Sequence, residues 1–145
     1  LRTRRQRQMC IRDSANLEVI QEEGLLERAV TLGSTMRAEM DRLVKRHPSA
    51  REGRQLGLFG IMDIQRDHEG TPLVPYNGAH PAMTAFKHRL RQLGLFTFVR
   101  WSSVMCNPPL SITKEQLLEG FDIIDRALDI TDAAFEPGSS NRQKG

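Results

Sequence analysis

Residues 53–66 read GRQLGLFGIMDIQR, and the way this stretch pairs decides the fold. Its apolar residues lie between glycines, so the pattern predicts a strand or a bent pair of strands. Gly53, Gly57 and Gly60 mark bulges or places where another backbone comes close. A phosphate-cradling glycine loop would have to open a helix, and this stretch is embedded in strand pattern instead.

Upstream, Leu25, Ala29, Leu32, Met36, Met40 and Leu43 recur at spacings of three and four, which predicts a helix with one apolar stripe for core packing. It ends near Arg46, because Pro48 disfavours helix at His47. Residues 15–23 are also helical in pattern, with Leu17, Val19 and Ile20 set against Gln21, Glu22 and Glu23, and Gly24 separates the two helices. Downstream, 67–81 reads as loop. A helix follows with Met83, Phe86, Leu90 and Leu93 on one face and Gly94 at its C-terminal cap. Residues 95–101 and 104–106 are strand candidates, ended by Pro108 and Pro109. Thr113 and Gln116 form a capping box for a last helix, with Leu117, Phe121, Ile124, Leu128 and Phe135 inward. The order is that of a small α/β (α+β) domain, a short and mainly antiparallel sheet covered by helices on one side.

The net charge of +3 is unevenly spread. Residues 1–14 carry +4 and residues 136–145 carry +1, which leaves 15–135 at −2. A nucleic-acid or membrane partner would want a basic face on the folded part, so neither is expected. No apolar run approaches the ~20 residues of a membrane span. Cys10 and Cys106 make no metal-ligand spacing, and a reduced, cytoplasmic setting is expected. Met9–Ser14, MCIRDS, matches an in-frame translation of a transposase adaptor end used in DNA library preparation. Residues 1–14 are therefore expected to be an adaptor or cloning scar without structure. Residues 15–135 form the domain, and 136–145 a disordered tail by composition.

The chain alone shows no catalytic constellation. His47, His68, His80 and His88 are scattered without a second ligand at useful spacing, and no metal site is expected. Asp63, Asp67 and Glu69 read as a solvated turn, and no Gly-x-Ser-x-Gly elbow surrounds Ser102 or Ser103. Arg54 and Arg100 stand out, because each interrupts an apolar strand segment and needs a partner. A bidentate carboxylate is the best geometric match, from an acidic side chain of the domain or from a substrate.

Four stretches resemble the C-terminal part of a class III, ω-type, pyridoxal-phosphate-dependent aminotransferase. ANLEVIQEEGLLER (15–28) resembles the helix that follows the cofactor domain of that family. GRQLGLFGIMDI (53–64) resembles its Arg-Gly-x-Gly-Leu strand motif, with Gln55 in place of the usual glycine. GLFTFVR (94–100) resembles its Gly-Leu strand entry, and NPPLSITKEQL (107–117) its Pro-Pro-Leu-x-Ile-Thr closing helix. Within the family it resembles members related to taurine–pyruvate transaminases. The resemblance implies the small C-terminal domain of a fold-type I homodimer. It implies a lysine that holds pyridoxal 5'-phosphate as a Schiff base, and transfer of an amino group from an amine or ω-amino acid donor to a keto-acid acceptor such as pyruvate. None of Lys45, Lys87, Lys114 and Lys144 matches the Schiff-base position, so the catalytic lysine and the phosphate-binding residues are expected upstream and the chain inactive alone. Many α-amino-acid-using relatives carry an arginine just before the Pro-Pro pair, where this sequence has Val104-Met105-Cys106-Asn107. Arg100 lies near the place of a mobile arginine in several ω-transaminases. Arg100 and Arg54 are therefore the expected substrate-binding residues. Other fold-type I reactions, such as those of aminomutases and decarboxylases, remain open. So does a stand-alone α/β interaction or ligand-binding module with a basic N-terminal arm.

Overall fold

In the computed structural model, residues 2–137 are described, with side chains from residue 12 onward. The elements run α1 (Arg2–Glu22), α2 (Leu25–Arg46), β1 (Ala50–Leu56), β2 (Phe59–Ile64), α3 (Pro81–Gln92), β3 (Val99–Arg100), β4 (Ser103–Cys106) and α4 (Lys114–Asp132). The four strands form one antiparallel sheet in the order β1-β2-β4-β3. Residues 53–66 therefore form the bent pair. Leu56 faces Phe59 across a tight turn at Gly57, whose φ of +57° is left-handed and suits glycine.

The sheet alternates by the two-residue period of a strand. Met62, Ile64, Val104 and Cys106 point inward and are buried, Met62 and Val104 completely. Against them lies the α2 stripe of Leu32, Met36, Met40 and Leu43, then Met83, Phe86 and Leu90 of α3 and Leu117, Phe121 and Leu128 of α4. Each fully buried side chain of this size contributes about 1.5–3 kcal/mol. Helix and hairpin touch at backbone distance where Gly33 meets Gly57. A Cβ on Gly33 would lie 2.9 Å from the Gly57 carbonyl oxygen. Gly53 and Gly60 make room for the Met36 and Met40 side chains, and the one register irregularity of the hairpin falls between Ala50 and Glu52. The expected close approach is thus to α2, and the bulge is not at a glycine.

The helix ends follow their local chemistry. Gly24 sits at φ +57° between α1 and α2. The Thr113 side chain accepts from the Gln116 N–H at 3.2 Å, and the Gln116 side chain accepts from the Thr113 N–H at 3.0 Å. Gly94 follows α3 at φ +92°.

Several expectations need correction. The structure runs α1 from Arg2, so 2–14 is helical where no structure was expected. No glycine or proline interrupts 1–23, and Arg, Gln and Met are good helix formers. Leu17 and Val19 face solvent, 61% and 45% exposed. Of 95–101 only Val99–Arg100 pairs as strand. Phe135 lies beyond α4, which ends at Asp132, and its ring meets His68 edge-on at 4.8 Å. Glu136 is held by its N–H, which donates to the Arg66 carbonyl at 2.7 Å. The rest of the expected tail, 138–145, lies outside the described residues.

Candidate functional site

Because the helices cover one side of the sheet, the side chains on the other side face out, and the strand registers set them in rows. One row crosses all four strands: Glu52, Asp63, Ser103 and Arg100. Asp63, in the middle, is fully engaged. Its Oδ2 accepts from Arg54 Nη2 at 2.5 Å and its Oδ1 from the Ser103 hydroxyl at 2.8 Å. Arg54 Nε lies 3.8 Å from a Glu52 oxygen. Arg54 therefore has the acidic partner within the domain that the sequence left open. Arg100, at the far end of the row, makes no ion pair with any described residue. Its guanidinium lies over the Trp101 ring, 4.3 Å from the centroid.

Trp101 departs from strand geometry at the turn between β3 and β4. Its φ is +51°, a left-handed conformation uncommon for a bulky residue and sustained only by its surroundings. Ser102 supplies that support, donating to the Val74 carbonyl at 3.1 Å and accepting from the Val74 N–H at 2.7 Å. The Tyr76 ring meets the indole at 4.6 Å. Beside them opens a groove of about 230 Å³, bordered by Arg51, Asp63, Tyr76, Trp101, Ser102 and Ser103.

A second polar cluster ties the end of α2 to α4. His47 is buried, its Nε2 2.6 Å from Asp125 Oδ1 and its Nδ1 2.6 Å from Asp132 Oδ2. Asp125 also accepts from Arg42 at 2.5 Å and Arg46 at 2.9 Å. Burial pushes the Asp125 carboxyl up, but the hydrogen bonds from Arg42 and His47 and the charges of Arg42 and Arg46 outweigh it. The net position is below the ordinary carboxylate range. Asp132 Oδ1 accepts from the Ser49 hydroxyl at 2.6 Å. His47, Asp129 and Asp132 lie close enough to surround a cation, yet both His47 nitrogens already face carboxylates. Spacing alone did not reveal this cluster, whose partners lie far apart in sequence. The available signal was Asp125, an acid between Ile124 and Leu128 on the buried stripe of α4.

The remaining reactive groups among the described residues offer little chemistry. Burial pushes the Cys106 thiol up to about 12, where a thiolate nucleophile does not form. Lys45, Lys87 and Lys114 are exposed, whereas a Schiff-base lysine is activated by a desolvated or cationic pocket. The described residues therefore do not fit a covalently held pyridoxal cofactor.

The family model for class-III aminotransferases matches residues 8–128. Among curated proteins, a leucine/methionine racemase of Thermococcus litoralis is 32% identical over 79% of this chain and 25% of its own length. The mitochondrial ornithine aminotransferase of Arabidopsis thaliana is 26% identical over 80% of this chain and 23% of its own. Among solved structures, the taurine:2-oxoglutarate aminotransferase of Bifidobacterium kashiwanohense, in complex with PLP and glutamate, superposes with a TM-score of 0.76. It is 25% identical over 81% of this chain and 27% of that one. The chain thus spans about a quarter of the length of the relatives it matches.

Proposed function

Since this chain belongs to the class-III aminotransferase family, we infer that it forms the C-terminal small domain of a pyridoxal-phosphate-dependent transaminase. In this reading the enzyme moves an amino group from an amine or ω-amino acid to a keto acid such as pyruvate. Bound pyridoxal phosphate would supply the electron sink. The lysine that holds it is expected upstream of Ala15, so the chain alone is inactive. A homodimer and a cytoplasmic setting belong to the same proposal, as does the division into an adaptor-derived segment 1–14, a domain 15–135 and a tail 136–145.

The observation that carries the substrate assignment is the Arg100 guanidinium, exposed at the end of its row with no carboxylate among the described residues. It takes the carboxylate of the keto acid or amino acid. Arg54 enters only through Asp63, which it keeps away from Arg100.

Two experiments test this. Reading the source DNA upstream of the Ala15 codon comes first. A frame that continues to a strand-end lysine supports the proposal, and a frame that starts within 1–14 returns the chain to a stand-alone module. In the complete enzyme, Arg100→Ala should raise KM for pyruvate by about 10- to 100-fold, the loss of a hydrogen-bonded charge pair. KM for a donor without a carboxylate should barely move. Equal effects on both would refute the role. A second reading, racemisation of an amino acid on the same cofactor, is favoured by the racemase relative. Conversion of one amino-acid enantiomer into the other without a keto-acid acceptor would select it.

A further inference from the structure

Arg100 and Trp101 are neighbours in sequence, and consecutive side chains of a strand point to opposite faces. They could not touch if β3 ran straight. The left-handed backbone at Trp101, φ +51°, turns the chain and brings the indole under the Arg100 guanidinium at 4.3 Å. The conformation is braced by both hydrogen bonds between Ser102 and Val74 and by the Tyr76 ring. Asp63, the nearest acid in the Arg100 row, is taken by Arg54 and Ser103.

We propose that Trp101 is a positioning residue: its indole face holds the Arg100 guanidinium so that the in-plane N–H edge stays free for a substrate carboxylate. Stacking uses the flat face of a guanidinium and bidentate pairing uses its edge, so both occur at once. The stack replaces the counter-ion that an exposed arginine would otherwise seek on the sheet. The inference rests on the reading of Arg100 as the carboxylate-binding group.

The test uses the 145-residue chain with pyruvate as probe and chloride at equal ionic strength as control. Trp101 is the single tryptophan, so its emission reports on the stack directly. In the Arg100 side-chain resonances, ring-current shielding by the indole should be present without pyruvate and persist when pyruvate binds. Trp101→Leu should weaken pyruvate binding by about two- to fivefold, the scale of an exposed cation–π contact. Trp101→Phe should recover most of the loss. Adding Asp63→Asn to Trp101→Leu should also recover part of it, because no acid then competes for Arg100.

If Trp101→Leu binds pyruvate as tightly as the unaltered chain, or if shielding disappears on binding, the positioning role is overturned while the Arg100 reading stands. Pyruvate binding that Arg100→Ala leaves unchanged overturns the Arg100 reading, and this inference with it. The shielding measurement needs no substitution, so it decides the matter even where a Trp101 variant fails to fold.

Discussion

The two faces of the sheet are built from the same four strands and do opposite things. The inner face carries Met62, Ile64, Val104 and Cys106 into a packed core with α2, α3 and α4. The outer face leaves Leu56 85% and Phe59 57% exposed around the row from Glu52 to Arg100, and Phe98, just before β3, is 60% exposed. An antiparallel sheet with one solvated face would ordinarily alternate apolar-in and polar-out. Here the row and Arg54 beside it follow that rule, and the apolar residues around them do not. Stability is concentrated on one face, and the polar groups able to meet a ligand stand on the other.

Neighbouring residues of β2 offer the sharpest way to break this contrast. Met62 is fully buried on the inner face, so Met62→Ala should destabilise by about 2–5 kcal/mol through lost transfer energy and a cavity. Ile61, its neighbour, points outward and is half-buried, and Ile61→Ala should cost well under half as much. Urea unfolding of the two variants measures both. A cost at Ile61 equal to that at Met62 would mean that the outer face is covered in solution.

The buried cluster between α2 and α4 adds a charged counterpart to that core. Asp125→Ala leaves His47 with one carboxylate and Arg42 and Arg46 with none from this site. Breaking a buried pair costs about 3–5 kcal/mol. Because both arginines reach solvent, about 2–3 kcal/mol is expected here. The cost should depend on pH. Asp125 ionises at lower pH in the folded chain than in the unfolded one. Its contribution is therefore complete above the ordinary carboxylate range, about 4, and is lost as the pH falls through the folded value. The stability gap between the unaltered chain and Asp125→Asn should close on acidification. A gap that widens towards acid would place the charge elsewhere.

Elements set by local chemistry were legible in the sequence. The three-and-four spacing marked α2 and Pro48 its end at Arg46, the Thr113–Gln116 box started α4, and the glycine-punctuated stretch marked the β1–β2 hairpin. What depended on residues far apart was not. His47 meets Asp125 and Asp132 only because α2 and α4 pack together, and no spacing encodes that contact. The failure of 95–98 to form a strand has a similar origin. The segment returns from α3, with the Leu95 N–H donating to the Leu90 carbonyl at 2.9 Å, and joins β4 only at its end. For the candidate site, the sequence singled out both arginines but left open which of them has an acidic partner within the domain. Telling them apart needed the register that puts Asp63 within reach of Arg54 and leaves Arg100 to Trp101.

A smaller effect is expected where helix and hairpin backbones meet. Gly33→Ala places a methyl group 2.9–3.1 Å from three backbone atoms of Gly57, and backbone cannot swing aside as a side chain does. Overpacking of this kind costs about 1–3 kcal/mol, offset by the roughly 1 kcal/mol that alanine gains over glycine within a helix. The net loss should be up to about 2 kcal/mol, and unfolding curves should show it without a change in slope. A stabilised variant would mean that α2 and the hairpin can separate freely.

The smallest effect should come from the ion pair that ties Arg54 to the outer row. Arg54 and Asp63 form the shortest ion pair of the face, yet the Arg54 side chain is 61% exposed. Exposed pairs contribute about 0–1 kcal/mol and weaken with salt. Arg54→Gln should therefore leave the unfolding midpoint almost unchanged. Its consequence should appear one row-length away, because an Asp63 released from Arg54 becomes a competitor for Arg100. Pyruvate binding should weaken in Arg54→Gln and recover when Asp63→Asn is added. A loss of stability comparable to that of Met62→Ala would put Arg54 in the core's role and erase the difference between the two faces.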